Sequence, residues 1–263
     1  MYKMVLRPWI NVDELDWIML SSNPSAISFL EDNPININWN TLSRNPSALK
    51  LLEANPDKIN WNNLSGNKSA MHLLEANQDR ICWSRLSGNP SAIQLLEANP
   101  DRIIWMHLSS NSSAMHLLEA NQDKINWEWL SANPSAIQLL TDNYDKINWG
   151  CLSGNPSAIH LLETNQDKIN WDCFSANPAA MHILEANPDK IDWDWITTNP
   201  AAIHLLEANQ DKVISHLLSV NSRIFTYDYE SMHKTMWKEN GLANQLMEYI
   251  YHPRNMHKWE DDD

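Results

Sequence analysis

The sequence predicts an all-α fold, an α-solenoid of about nine to ten units with 22 residues each. Trp recurs at every twenty-second position from Trp17 to Trp193, and two columns of Asn keep the same interval, one from Asn23 to Asn221 and the other from Asn11 to Asn209. A constant period of roughly 20 to 50 residues is the signature of stacked repeats. No insertion or deletion interrupts the period, so we expect one continuous stack.

The first element of each unit is a short amphipathic helix, as the unit that begins at Asn45 illustrates. Asn is a favourable N-cap, and Pro46 fits the first helical position because its missing N–H would have no partner there in any case. The apolar residues that follow share one face, with Lys50 on the other. The pair Asn55-Pro56 ends the helix, because a residue before Pro is driven out of the α region. We predict a helix of about two turns.

The second half of the unit is either one continuous helix or a turn followed by a shorter helix. In a continuous helix Ile59 would lie about 160° from Trp61, which would place two large apolar side chains on opposite faces. We therefore predict a turn or 3-10 stretch at 56–59, a cap at Asn60 and a second short helix from Trp61. The cap position carries Asn or Asp in seven of the ten units, and the exceptions are Cys82, Ile104 and Ile214.

A unit of this size cannot bury its own apolar face, so it depends on stacking against its neighbours. At the N terminus a half unit from Asn11 follows an irregular segment that contains Trp9, and at the other end Ser215 stands where the Trp column would continue. We expect a polar stop there. The predicted organisation is an N-terminal cap at 1–16, repeats at 17–214, and a C-terminal cap with an acidic tail at 215–263.

Composition narrows the class of protein. The chain is 43% hydrophobic, which excludes general disorder, and its net charge of −14 disfavours nucleic acid as the main partner because phosphate backbones are bound by Lys and Arg. No apolar leader opens the sequence, no stretch of about 18 apolar residues is long enough for a membrane span, and three cysteines make no disulfide framework. We expect an intracellular protein that is not secreted, binds no membrane and is a monomer.

The repeat resembles a known group of proteins. The segment Asn-Pro-Ser-Ala-Ile-His-Leu-Leu-Glu at 155–163 is similar to repeats abundant in giant nucleocytoplasmic DNA viruses, as are the opening at 9–21 and the segment at 224–232. The tail that carries His252-Pro253-Arg254 and Lys258-Trp259 is similar in style. The resemblance implies a viral protein of the host cytoplasm or the virion, with no established activity. The alternation of α-helices and short turns is also similar to leucine-rich variant repeats, which bears on the fold alone.

Two columns suggest chemistry and have plainer interpretations. Five His residues share one column with Ser, Lys and Gln, which favours an exposed polar row over a metal array; they are His72, His116, His160, His182 and His204. Cys151 and Cys173 lie in adjacent units about 8–10 Å apart, beyond the roughly 7 Å Cα limit of a disulfide, so free thiols are expected. The Trp column is expected to lie in the core. We predict no catalytic residue, metal ion or cofactor, and a protein that is not an enzyme.

The two positions after each Trp vary while their surroundings stay nearly constant. They are either unconstrained surface or a recognition groove to which each unit contributes its own side chain. The second interpretation gives a candidate partner-binding edge, pointing away from the core, made of Arg85, His107, Trp129, Cys151, Cys173 and Trp195. It predicts a non-catalytic scaffold of a giant virus that binds another protein, with a basic segment favoured by the acidic surface. The alternatives are a structural virion component and, less favoured by the charge, a modular nucleic-acid reader.

Overall fold

The computed structural model describes residues 4–228, 233–234 and 245–246. Within them short helices repeat at the 22-residue period, and the strands are two segments of three residues each. The predicted all-α solenoid is confirmed. No helix of this described part is long and apolar enough to cross a membrane.

Counted from the column Trp, each unit begins with an α-helix that is here called the Trp helix. Within residues 4–228 there are nine Trp helices, namely Trp17–Ser22, Trp39–Leu42, Trp61–Leu64, Trp83–Ser87, Trp105–Leu108, Trp127–Ser131, Trp149–Ser153, Trp171–Ser175 and Trp193–Thr198. A 3-10 helix, Ser215–Val220, occupies the tenth position. The segment predicted as a polar stop is therefore a tenth helical position of the same stack.

A second α-helix in each unit carries the Leu-Leu or equivalent pair and is here called the Leu helix. Its nine copies within residues 4–228 are Ile27–Glu31, Leu49–Glu53, Met71–Ala76, Ile93–Glu97, Met115–Glu119, Ile137–Asp142, Ile159–Glu163, Met181–Ala186 and Ile203–Ala208.

Short 3-10 helices connect the two kinds of α-helix. After each Leu helix comes a turn that places a basic residue at its end in most units; these turns are Pro34–Asn36, Pro56–Lys58, Gln78–Arg80, Pro100–Arg102, Gln122–Lys124, Tyr144–Lys146, Gln166–Lys168, Pro188–Lys190 and Gln210–Lys212. A like turn, Val12–Glu14, precedes the first Trp helix. Before the Leu helices lies the Asn turn, which begins at the column from Asn23 to Asn221 and is 3-10 helical at Pro24–Ala26, Pro46–Ala48, Pro90–Ala92, Pro156–Ala158, Pro200–Ala202 and Ser222–Ile224.

The predicted break before the Trp helix is confirmed. Asn60 has extended backbone angles and its Oδ1 accepts a hydrogen bond from the Asn63 N–H at 2.9 Å. The Asn or Asp at the same position caps the Trp helix in this way in all seven units that have one. The side chains of Cys82, Ile104 and Ile214 make no such bond.

The helix predicted to start at Pro46 is divided in the structure. Asn45 Oδ1 accepts from the Ser47 N–H at 3.0 Å, and the Asn45 carbonyl accepts from the Ala48 N–H at 3.1 Å. Both bonds tighten the first turn, since an Asn side chain that bonds two residues ahead favours a turn over an α-helix. The α-helix therefore begins only at Leu49.

The Asn turns bind neighbouring units to one another. Asn45 Nδ2 donates to the carbonyls of Ser21 and Asn23 in the preceding unit, at 3.1 and 3.0 Å. A second bond joins the same units, from the Asn38 N–H to Ser21 Oγ at 2.9 Å. Both contacts recur along the stack, and the column Asn and Ser residues are buried. Every unit is therefore aligned with the next by hydrogen bonds inside the core.

The last unit makes these same contacts with the first. Asn23 Nδ2 donates to the carbonyls of Ser219 and Asn221, at 2.9 and 3.1 Å, and the Asp16 N–H donates to Ser219 Oγ at 2.7 Å. The 3-10 helix Ser215–Val220 packs against Trp17–Ser22 as neighbouring Trp helices pack against one another. The solenoid thus closes into a ring of ten units, each turned by about 36° from the previous one.

Two short strands complete the seam of this ring. The strand β1, Met4–Leu6, pairs antiparallel with β2, Phe225–Tyr227, and β2 begins at the sequence position where a tenth Leu helix would start. The Arg7 N–H donates to the Ile224 carbonyl at 2.9 Å, and the Phe225 side chain is 3% exposed. A two-stranded sheet therefore stands where the tenth Leu helix would be.

Ring closure differs from the open stack with separate caps that the sequence predicted. Residues of the two flanking segments, among them Trp9 and Ser215, line one small cavity at the seam. The stack needs no polar stop, because the rotation between units brings the tenth apolar face onto the first. The domain boundaries at 16 and 214 stay predictions, and most of the predicted acidic tail region lies outside the described residues.

The Trp helices lie on the inner circumference of the ring. Trp helices of neighbouring units pack directly against one another, and so do Asn turns, whereas Leu helices contact chiefly the turns of their own unit. In a closed ring the elements with the closest spacing lie at the smallest radius. Side chains that point away from the core on the Trp helices therefore belong to the inner side.

The Trp column is less buried than predicted. Each column Trp packs against the core but stays partly exposed, whereas Leu at the third position after it is fully buried, as at Leu108. A cation from the turn that follows the Leu helix covers the ring, for example Lys124 Nζ at 4.5 Å from the centroid of Trp105 and Arg80 Cζ at 5.0 Å from that of Trp61. Cation–π contact thus replaces part of the apolar cover expected for a core residue.

Candidate functional site

The six predicted partner-binding residues occupy equivalent positions in six consecutive units, and they are here called the post-Trp row: Arg85, His107, Trp129, Cys151, Cys173 and Trp195. Trp129 is 38% exposed and Trp195 is 49% exposed, while the neighbouring Leu130 and Ile196 are fully buried. Arg85 is also exposed, and the His and Cys residues are partly buried. The structure places all six on one edge of the Trp helices, pointing away from the core.

Side chains along this edge bond from one unit to the next. Arg85 Nε donates to Asn62 Oδ1 of the preceding unit at 2.7 Å, and Asn63 Nδ2 donates to the Asn40 carbonyl at 2.8 Å. Further along, the rings of His107 and Trp129 meet edge to face with centroids 5.1 Å apart. The edge is therefore a continuous surface in which neighbouring units fix each other's side chains.

The two cysteines of the row are free thiols, as predicted. Partial burial raises the pKa of both, and the nearby carboxylates add to the effect, Glu128 at Cys151 and Asp172 at Cys173. A raised pKa keeps a thiol protonated at neutral pH, and the protonated thiol is the less reactive form. These environments are the opposite of those that activate a cysteine nucleophile.

A third column joins the edge at the fifth position after each Trp, where the sequence analysis assigned no role. Arg44, Gly66, Gly88 and Ser110 belong to it. Together with post-Trp side chains they line a cavity of about 450 Å³ that spans five units; its lining residues are Arg44, Asn62, Gly66, Ser84, Arg85, Gly88, His107, Ser110 and Trp129. An adjoining cavity of about 380 Å³ shares two arginines with it and is lined by Ser22, Thr41, Arg44, Asn63 and Arg85.

Formal charge divides this edge into two parts. In the two post-Trp columns and the third column, the basic side chains are Arg44 and Arg85, in the second and fourth units. The acidic side chains are Glu128, Asp172 and Asp194, in the sixth, eighth and ninth units, and all three are exposed. We call these the basic part and the acidic part of the edge. The two parts present opposite charge to a ligand.

The column His residues lie on the Leu helices, and the predicted exposed polar row is confirmed. His72, His116 and His182 each place Nε2 within 2.7 to 2.9 Å of a Glu of the preceding unit. Hydrogen bonds from His182 and His160 lower the pKa of Glu163. Among the described residues, no three His, Cys, Asp or Glu side chains are grouped so as to hold a metal ion.

Two functional features escaped the sequence analysis. Arg44 departs from the small or polar residues that fill its column elsewhere, which was a visible signal. The cations over the Trp rings also repeat at a fixed interval of 19 residues from the Trp they cover, as Lys146 does over Trp127. Their role depends on how the turn folds back over the Trp helix, which the spacing alone does not reveal.

Comparison with known proteins adds no relative: no family model, curated protein or solved structure matches the chain.

Proposed function

We propose that the protein is a non-catalytic interaction scaffold that binds a basic, partly apolar segment of another protein along the acidic part of the edge. The observation that carries the proposal is the pair of exposed indoles, Trp129 and Trp195, which stand among Glu128, Asp172 and Asp194. Trp is the residue most enriched at the energetic centres of protein interfaces. A soluble chain has little other reason to expose two such rings at equivalent positions of one surface.

Charge selects the class of partner. The chain carries a net charge of −14, and within the described part of the chain no cation forms an ion pair with the three carboxylates of the acidic part. Lys or Arg side chains of a partner would neutralise them, while its apolar groups would cover the indoles. Complementary charge chiefly speeds association and sets orientation, and the indoles supply affinity.

The ring also favours binding by limiting its entropic cost. The hydrogen bonds between units hold each Trp helix in a fixed position relative to the next, as at Asn133, whose Nδ2 donates to the carbonyls of Ser109 and Asn111. Side chains on such helices lose little freedom when a partner binds. A rigid edge of this kind suits a segment with side chains spaced to match the units.

The test is selection from a random peptide library displayed on phage, with the intact protein as the target. We expect enrichment of peptides that combine Lys or Arg with apolar residues. Trp129→Ala with Trp195→Ala should weaken their binding by at least about 2 kcal/mol, the usual threshold of an energetic hot spot, and leave the melting curve unchanged. Arg223→Gln removes an arginine that lines a different cavity and serves as the control.

Selected peptides that bind the double Trp variant as well as the wild type would remove this edge as the binding surface. The origin in a giant virus is proposed on the resemblance of the repeat alone. Capture from infected cells, with wild type and double variant as paired baits, would connect the selected sequences to a natural partner.

A further inference from the structure

We propose that the basic part of the edge is a binding site for a small phosphate-bearing aromatic compound of nucleoside-monophosphate size. The site is the cavity of about 450 Å³ between Arg44 and Trp129. Its volume lies within the range of roughly 300 to 1,000 Å³ of small-molecule sites. The site shares Trp129 with the proposed protein-binding surface, but it uses the opposite charge on a different part of the edge.

Two unpaired guanidinium groups supply the recognition of phosphate. Among the described residues, neither Arg44 nor Arg85 forms an ion pair with a carboxylate, although the chain has 33 Asp and Glu residues. Arg85 is held instead by its Nε, which donates to Asn62 Oδ1 at 2.7 Å and leaves its terminal nitrogens available to a ligand. Arginine binds phosphate oxygens with paired, charge-assisted hydrogen bonds.

The two arginines line the same cavity on either side of Gly66. A Cβ atom at Gly66 would be 3.7 Å from Arg44 Nε and 3.9 Å from Arg85 Cβ, so the glycine position is bordered by both side chains. Gly88 continues the floor of the cavity next to His107. The neighbouring units carry Arg44 and Ser110 in this column. Side chains of that kind at positions 66 and 88 would fill the space that the two glycines leave open.

The lining has no negatively charged side chain that would repel an anion, and it offers further polar groups. It contains no Asp or Glu, and it presents the polar side chains of Ser84, Ser110 and Asn62. At the end away from Arg44 stand His107 and Trp129, which meet edge to face at 5.1 Å. Trp129 is 38% exposed, so part of its ring remains accessible to a heterocyclic base. Bases stack in this way on the aromatic side chains of single-strand binding proteins.

The experiment is calorimetric titration of the full chain with adenosine monophosphate, adenosine and inorganic phosphate as separate probes. We expect adenosine monophosphate to bind at least about tenfold more tightly than either of the others, because only it carries both a phosphate for the arginines and a base for Trp129. Arg44→Gln and Arg85→Gln should each weaken its binding by about tenfold or more. Trp129→Leu should weaken adenosine monophosphate and leave phosphate unaffected.

Lys68→Gln is the matched control. It removes the same charge from the unit between the two arginines, at an exposed residue that lines neither cavity, and it should leave the affinity unchanged. Melting curves of all variants check that the ring is intact.

Three results would each overturn the proposal. They are no binding of adenosine monophosphate at millimolar concentration, equal affinity for it and for inorganic phosphate, and undiminished binding by the Arg44→Gln and Arg85→Gln variants. The outcome is separable from that of the protein partner, because Arg44→Gln leaves the acidic part unchanged and Trp195→Ala leaves the cavity unchanged.

Discussion

Each column Asn from Asn23 to Asn221 uses its side chain three times, and Asn111 is representative. Its Nδ2 donates to the carbonyls of Ser87 and Asn89, and its Oδ1 accepts from the Ser113 N–H, at distances of 2.9 to 3.0 Å. The residue is 1% exposed. An amide so placed is required on two counts: it shapes the turn of its own unit and satisfies buried carbonyls of the preceding one.

We predict that Asn111→Ala lowers the free energy of unfolding by about 2 to 4 kcal/mol, because it leaves buried polar groups without partners. Asn121→Ala is the matched control from the second Asn column. Asn121 Nδ2 donates to the Leu117 carbonyl of its own unit, and the residue is only partly buried, so we expect a loss of about 1 kcal/mol. Equal losses in urea denaturation would contradict the assignment of inter-unit bonding to the first column.

Trp105→Ala and Trp195→Ala should separate the two kinds of Trp. Trp105 packs against the core beneath Lys124, and its removal should cost about 3 kcal/mol of unfolding free energy. Trp195 is 49% exposed and should cost less than about 1 kcal/mol. Thermal and chemical denaturation measure both, and equal shifts would show that the column Trp is no more structural than the row Trp.

The sequence predicted where the Trp rings point but not how deeply they lie. The interval of three between Trp105 and Leu108 placed both on the core side, and the structure agrees. Exposure of the ring depends on which side chain folds over it, and here that is Lys124 of the turn before the following Trp helix. A periodic pattern reports the direction of a side chain within a unit, whereas burial depends on the distance and rotation between units.

At the scale of one element, the Trp helix is defined by its cap. Four to six residues are too few for a stable isolated helix, so the first N–H groups need a side-chain acceptor or tertiary packing. Asn126 provides one to the Trp129 N–H at 3.0 Å, and Ile104 provides none. The break before the cap was predictable because Ile59 and Trp61 could not share a face. The late start of the Leu helix, after Ala48, was not predictable. Its cause is a local hydrogen bond of the Asn side chain that competes with a helix start.

We predict that Ile104→Asn stabilises the ring by about 0.5 to 1 kcal/mol by adding the missing acceptor for the His107 N–H. Ile104 is 41% exposed, so little apolar burial is lost. Asn126→Ala removes the cap at the same position of the next unit, and it should destabilise the protein by about 1 kcal/mol. A melting temperature that falls for Ile104→Asn would show that the uncapped helix relies on the Ile side chain instead.

For the molecule as a whole, closure was beyond the reach of the sequence analysis. The number and the period of the repeats can be read from the sequence. The rotation between units cannot, because it follows from small differences in spacing between Asn turns and Leu helices. The half unit from Asn11 was a sign of closure, because it places a turn and a cap ahead of the first Trp helix. The bonds of Asp16 and Asn23 to Ser219 show how that half unit completes the tenth interface.

A disulfide across the seam tests closure directly. Val5 and Thr226 are opposed in the antiparallel pair, at a separation that strand geometry places near 4.5 to 5.5 Å between Cα atoms and within disulfide range. Val5→Cys with Thr226→Cys should oxidise readily and raise the stability by about 4 kcal/mol, because the bond closes a very long loop. In an open stack the same residues would be roughly 70 to 90 Å apart at a helix spacing of 8 to 10 Å. Peptide mapping by mass spectrometry identifies the bond, and Val5→Cys with Ser110→Cys, on the far side of the ring, should form none.

The seam disulfide then becomes a reporter for how many units a ring requires. Deleting one whole unit, residues 89–110, leaves nine, which close if each interface turns by about 40° instead of about 36°. The change of roughly 4° is spread over hydrogen bonds that tolerate such bending, so we expect a folded, closed protein with a lower melting temperature.

Deleting four units, residues 45–132, leaves six, which would need about 60° each and should remain helical but open. The double-cysteine pair should therefore oxidise in the nine-unit chain and stay reduced in the six-unit chain, with small-angle scattering reporting the corresponding shapes. Loss of helical circular dichroism in the nine-unit chain would mean that the ring folds only with all ten units. If the interfaces can adapt, each of the nine units keeps its contacts with two neighbours and stays helical.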